Sequence, residues 1–174
     1  GFIAAGDSAA HVNPTTGGGI PGAAKSAHWA ATRAVEAITE DDVSEANLWE
    51  YNREVLTGFG KRFAAVDLYN IWGGAHDVDE LVEIVTAIPG QQLVDAMSKG
   101  EASMDLGLKL KTVLRTFGHW STLFGLYRVH QQALDLKDVY EDYPASPDGF
   151  EAWKARRDGI YDRVYEISGA DSKY

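Results

Sequence analysis

Apolar and polar positions along the chain change period once, near residue 20. The opening run GFIAAGD is short, apolar and ends at Gly6-Asp7, the pattern of a buried strand that stops at a functional turn. From Ile20 the spacing becomes helical: Ile20, Ala23, Ala27, Ala31, Ala34 and Ile38 fall on one face, with Pro21 in the first turn, where its missing N–H costs nothing. The acidic stretch TEDDVSE ends that helix and starts the next, with Asp42 or Ser44 as N-cap. Leu48, Tyr51, Val55, Phe59, Phe63, Val66 and Tyr69 then predict a long amphipathic helix closed by Gly73-Gly74.

Later elements are shorter and more heavily punctuated. Val78, Leu81, Val82, Val85 and Ile88 predict a helix over 77–88, broken by Pro89-Gly90, and a further short helix runs to about Ser98. Residues 104–134 read as one or two helices carrying an aromatic stripe of Phe117, Trp120, Phe124 and Tyr127, expected to pack against its neighbours. YPASPDGF is a loop, and Pro147 to Ile167 closes the chain as an amphipathic helix through Trp153, Ile160 and Val164. The expected chain is mainly α, with one residual strand followed by helices. A lone strand cannot satisfy its backbone donors and acceptors. The expectation is therefore that this chain is the C-terminal part of a longer protein, starting at its last sheet strand.

Composition narrows the chemistry. With 45% hydrophobic and 24% charged residues, the 174-residue chain can bury a sizeable core. A formal net charge of -10 disfavours nucleic-acid partners, which need Lys and Arg against phosphates. No cysteine is present, which removes disulfides, thiolate nucleophiles and zinc-thiolate sites and fits a cytoplasmic setting. No run of about 18 apolar residues spans a bilayer, so contact with lipid is expected to be peripheral or through a bound substrate. The five histidines show no metal-ligand spacing, and each reads as a surface or satisfied core residue. No metal site and no catalytic acid or base is nominated.

The loop between strand and helix, SAAHVNPTTGGG, admits three readings. GGGIPG, from Gly17 to Gly22, satisfies G-x-G-x-x-G, but the dinucleotide fingerprint follows its strand directly, and here about ten residues intervene. Gly6-Asp7-Ser8 matches the start of GDSL-type esterases, with Ser8 as nucleophile. That reading needs a partner histidine preceded by Asp at three residues, and none of the five histidines has one. The third reading takes Gly-Asp at a strand end, a proline seven residues on, and a glycine-rich helix start as one unit.

That unit resembles the second flavin motif of FAD-dependent oxidoreductases of the para-hydroxybenzoate hydroxylase fold. The form GDSAAHVNPTTGGGI is most similar to the geranylgeranyl reductase family, which includes archaeal digeranylgeranylglycerophospholipid reductases and FixC-like proteins. The specific match covers about twenty residues; beyond it the likeness is one of layout, through Leu48, Tyr51, Phe59 and Gly60 and a helical tail.

The resemblance implies an α/β FAD-binding flavoprotein, Rossmann-like and of glutathione-reductase type. Residues 1–40 would supply its last strand, flavin-contacting loop and helix, and 41–174 a helical C-terminal domain. It implies that Asp7 accepts a hydrogen bond from a ribityl hydroxyl, that Gly6 allows close passage, and that Pro14 lies by the isoalloxazine ring. Gly17, Gly18, Gly19 and Ile20 would offer backbone N–H groups to the N1/C2 edge of the flavin, aided by the helix dipole. The implied activity is reduction of isoprenoid C=C bonds in lipids, with electrons from NAD(P)H or a ferredoxin-like donor. A monooxygenase, a halogenase or a FixC-like electron-transfer flavoprotein is the alternative, and a non-enzymatic helical module is a third. A cytoplasmic protein with peripheral membrane contact follows from such a substrate, and the aromatic stripe as an isoprenoid pocket is its secondary reading.

Overall fold

A computed structural model of the chain describes residues 1–87 and 120–171. The short helix expected before Ser98, the Pro89-Gly90 break, Ile88, Phe117 and the start of the 104–134 segment lie outside the described residues. Six α-helices appear among the described residues: α1 Ile20–Thr39, α2 Glu45–Val55, α3 Lys61–Gly74, α4 Val78–Ala87, α5 Trp120–Glu141 and α6 Phe150–Ser168. The chain is mainly α, as its periodicity predicts.

The expected strand is not formed. Residues 1–5 carry no regular structure, Ala5 is extended with φ -139° and ψ 161°, and a 3-10 turn follows at Gly6–Ala9. A strand is defined by its ladder, and no segment among the described residues lies beside this one to supply it. What holds the extended stretch is a side chain: the Tyr51 hydroxyl donates to the Ala4 carbonyl at 2.6 Å.

Caps settle the helix ends. Ser44 is the N-cap of α2, its Oγ accepting from the Asn47 N–H at 3.3 Å, while Asp42 Oδ1 accepts from the Ser44 N–H at 2.9 Å. Asp77 caps α4 through the N–H groups of Asp79 and Glu80. Gly169, at φ +69°, closes α6 with its N–H on the Tyr165 carbonyl. The Pro147–Gly149 stretch, expected as the start of the last helix, is a 3-10 turn leading into it.

The long helix read from Leu48 to Tyr69 is interrupted by a π turn at Leu56–Gly60 that joins α2 to α3. The extra residue turns Phe59 inward, where its ring stacks on Trp29 of α1 at 5.9 Å and meets Phe63 at 5.2 Å. Gly58 permits this, because a Cβ there would lie 2.9 Å from the Trp29 ring. Such turns break the regular ladder and cluster at functional sites.

Two apolar clusters result. The larger joins α3, α5 and α6 through Leu68, Val129, Leu136 and Val164, all fully buried, and extends to Trp49 of α2. Two of its indoles are paired, Trp49 Nε1–H donating to the Pro144 carbonyl at 2.8 Å and Trp153 Nε1–H to that of Val139 at 2.7 Å, while the buried Trp72 Nε1 has no hydrogen-bond partner among the described residues. The smaller cluster, Tyr51, Val55 and Phe59, ties α2 and the π turn to α1 and to Ile3. Arg33 of α1 bridges it from outside, with Nε and Nη2 on the two Glu54 oxygens at 3.2 and 2.8 Å.

The aromatic stripe departs from expectation. Trp120, Phe124 and Tyr127 are 50%, 63% and 59% exposed, whereas α5 buries Val129, Ala133, Leu136 and Tyr140 instead. A helix with apolar residues on two faces leaves to its neighbours the choice of which face is covered. No described helix is long and apolar enough to cross a membrane.

Candidate functional site

The loop from Gly6 to Gly19 is an ordered, solvent-facing structure with its own internal bonds. Gly6 has φ +63°, a conformation that side chains resist, and its N–H donates to the buried Ser26 Oγ of α1 at 3.1 Å. The Ser26 hydroxyl in turn donates a hydrogen bond to the Ala23 carbonyl. The 3-10 turn is closed by the Ala10 and His11 N–H groups on the Asp7 and Gly6 carbonyls, and Ala10 itself is left-handed at φ +56°. Asn13 Oδ1 then accepts from the N–H groups of Thr15 and Thr16, an Asx turn that folds the chain back at Pro14.

Each residue expected at the site has a definite place. Asp7 is exposed, and its Oδ1 stands where a Cβ on Gly19 would come within 2.9 Å. The carboxylate therefore lies against the N-terminus of α1, and a side chain at 19 would displace it from there. Pro14 is exposed at the crest of the loop. Gly17, at φ +67°, donates to the Asn13 carbonyl at 2.9 Å, and Gly18 donates to Thr16 Oγ1 at 3.3 Å. These two N–H groups are spent on shaping the loop. Those of Gly19 and Ile20 have no partner among the described residues, and α1 has no side-chain cap. Ile20 is 85% exposed. Free N–H donors at the positive end of a 20-residue helix beside an exposed carboxylate form a mixed site: it offers donors at Gly19 and Ile20 and an acceptor at Asp7.

Ser8 does not stand as a nucleophile. Its hydroxyl donates to the Ala5 carbonyl at 2.7 Å, and no hydrogen bond joins it to a histidine. No cluster of side chains fit to hold a metal ion occurs among the described residues.

The periodic pattern missed one central residue, His11. It is buried, its Nδ1 lacks any partner, and its ring meets Phe59 edge-on at 5.3 Å. Burial lowers its pKa below the ordinary 6.5, favouring the neutral ring. Its carbonyl presses on α1, where a Cβ at Gly22 would approach to 2.3 Å. A histidine four residues after Gly-Asp gives no periodic signal. Only the meeting of loop, α1 and π turn buries it.

Two grooves flank His11. One, of about 550 Å³, lies between residues 1–4 and α2. The other, of about 590 Å³, runs beneath Pro14 along the π turn and α3 to Asp67, Tyr140 and Tyr161.

The chain is similar in sequence to proteins named digeranylgeranylglycerophospholipid reductase. A digeranylgeranylglycerophospholipid reductase of Sulfolobus acidocaldarius is 28% identical over 162 residues, which is 92% of this chain and 36% of that protein. Digeranylgeranylglycerophospholipid reductase 1 of Methanococcoides burtonii is 41% identical over 64 residues, 37% of this chain and 16% of that protein. The chain thus has curated homologues named digeranylgeranylglycerophospholipid reductase, and it spans about a third of the length of the first of them. No family model matches the chain.

Proposed function

We propose that residues 1–40 are the flavin-facing part of an FAD-dependent oxidoreductase that reduces C=C bonds of geranylgeranyl chains in lipids, with 41–174 as its helical domain. The observation that carries this reading is the Gly19–Asp7 contact beside the free Gly19 and Ile20 N–H groups. It supplies an acceptor for a sugar-like hydroxyl and donors for a ring carbonyl side by side. The similarity to named reductases supports the reaction class.

Bound FAD, once reduced by NAD(P)H or a ferredoxin-like donor, would supply the hydride for such a reduction, with a proton completing the addition across the double bond. This chain's own residues act by position. Gly6 and Gly19 clear the backbone approach, Asp7 takes the ribityl hydroxyl, and Gly19 and Ile20 donate to the N1/C2 edge. The bonds of Gly17 and Gly18 hold the loop in register for that contact. Pro14 stiffens the crest that faces the ring.

The test is Asp7→Ala in the full-length protein. Losing a charge-assisted hydrogen bond of about 1.4 kcal/mol should weaken FAD binding about tenfold, read as flavin retained after dialysis. Unchanged flavin content would overturn the assignment.

A further inference from the structure

The turn that carries Asp7 is seated on one face of α1. Gly19 at the N-cap and Gly22, Ala23 and Ser26 within the helix fall at i, i+3, i+4 and i+7, so they line up beneath that turn. The Asp7 carboxylate lies beside Gly19, the His11 carbonyl presses on Gly22, and a Cβ on Gly6 would come within 3.2 Å of that of Ala23. Ser26 is the polar member of the row and is fully buried. Three successive residues before Asp7 are then held by hydroxyls. Tyr51 of α2 donates to the Ala4 carbonyl at 2.6 Å, Ser8 donates to the Ala5 carbonyl at 2.7 Å, and Ser26 accepts from the Gly6 N–H at 3.1 Å. The Ser26 and Tyr51 hydroxyls are also hydrogen-bonded to each other.

We propose that Ser26 and Tyr51 are positioning residues for Asp7: they fix the backbone just before it and so hold its carboxylate over the N-terminus of α1, where it meets the ribityl hydroxyl. The proposal rests on the flavin reading of the loop. It goes further by bringing α2, an element of the 41–174 region, into the cofactor site through a single hydroxyl.

Backbone freedom at Gly6 is the reason such a device is needed. A glycine at φ +63° has no side chain to restrict it, so its setting comes from the bonds on either side. Without the Ser26 hydroxyl the buried Gly6 N–H would be left unpaired, which costs more than the bond itself contributes. Rotation at Gly6 is the cheapest relief, and it swings Asp7 away from the helix end. A charge-assisted hydrogen bond weakens steeply with such a change of angle. Loss of the Tyr51 hydroxyl frees the Ala4 carbonyl two residues earlier, with the same consequence. Burial raises the Tyr51 phenol, with the Ser26 hydrogen bond acting in the opposite direction, so Tyr51 stays an O–H donor at neutral pH.

Titration of the full-length protein with FAD, followed by flavin fluorescence, tests this with Ser26→Ala, Tyr51→Phe and Asp7→Ala singly and in pairs. Ser26→Ala and Tyr51→Phe should each weaken FAD binding about fivefold. In the Asp7→Ala background each should cost less than about twofold, because the group they position is gone. The visible circular dichroism of flavin bound at saturation should change in Tyr51→Phe in the same direction as in Asp7→Ala, which a merely structural role would not produce. Tyr51→Phe keeps its ring in the apolar cluster, so it carries the test if Ser26→Ala fails to fold. FAD binding or flavin dichroism indifferent to Tyr51→Phe, or a loss that persists undiminished in the Asp7→Ala background, overturns the proposal. Asp7→Ala by itself separates the two readings. A loss of about tenfold there with none in Tyr51→Phe removes the positioning role alone, whereas unchanged FAD binding in Asp7→Ala removes the flavin reading.

Discussion

The bundle of α3, α5 and α6 and the stretch from Gly1 to Gly19 are held by different means. The bundle relies on area: Leu68, Leu136, Val129 and Val164 are fully buried, and the indole N–H groups of Trp49 and Trp153 find carbonyls. The stretch 1–19 relies on a few point contacts. Ser26 takes the Gly6 N–H, Tyr51 holds Ala4, and Gly22 makes room for the His11 carbonyl. Each half leaves one buried ring nitrogen without a hydrogen bond, His11 Nδ1 in the stretch and Trp72 Nε1 in the bundle. A rigid helical body thus presents a loop whose donors and acceptors face outward, the usual division between scaffold and site.

Three measurements would break or sharpen that contrast. The largest effect is expected from Leu136→Ala, which removes a fully buried side chain of the bundle and should cost about 3 kcal/mol in urea unfolding. A loss well under 1 kcal/mol would mean that the bundle is not the stabilising half. Gly22→Ala should cost less overall, about 2 kcal/mol, since a Cβ 2.3 Å from the His11 carbonyl forces the loop off α1. Its signature is local. Amide exchange at Ala10 and His11 should speed up while that at Leu136 holds, and uniform acceleration would contradict the contrast.

The smallest effect is in pH, and its sign differs between the halves. His11 has a folded pKa below 6.5, so its contribution to stability is whole above 6.5 and is lost as pH falls through 6.5 toward the folded value. Asp67 has a folded pKa above 3.8, so its contribution is whole below 3.8 and is lost as pH rises through the folded value. Acidification should therefore loosen the loop while the Asp67 segment of α3 keeps or gains protection. Amide exchange that weakens together in both segments would show that these two groups do not govern them.

Much of this was legible before any coordinates. The 3.6-residue period placed α1 from Ile20, one of the two N-cap candidates, Ser44, starts α2, and Gly73-Gly74 marked the end of the helical stretch that α2 and α3 share. The loop's glycines read as places of close approach to a cofactor; within the chain itself Gly6 and Gly17 answer to positive φ, Gly17 with open space where a Cβ would stand, and Gly19 lies close to the Asp7 carboxylate. The strand was misread, because an apolar run of five or six residues specifies extension and nothing about a partner. The outward turn of Trp120, Phe124 and Tyr127 was misread for a related reason: α5 is apolar on more than one side.

The sequence by itself determined that the chain is mainly helical, roughly which segments form its helices and that α2 is capped at Asp42 or Ser44, because these follow from local period and from a single residue's reach. Only the tertiary structure decided that His11 is buried under α1 and the π turn. It also decided that Gly17 and Gly18 spend their N–H groups inside the loop, and that Asp67, 60 residues from Asp7, is hydrogen-bonded by Tyr161 in a groove that Pro14 also lines. Burial and charge environment are properties of what several distant segments exclude together, and no local period records them.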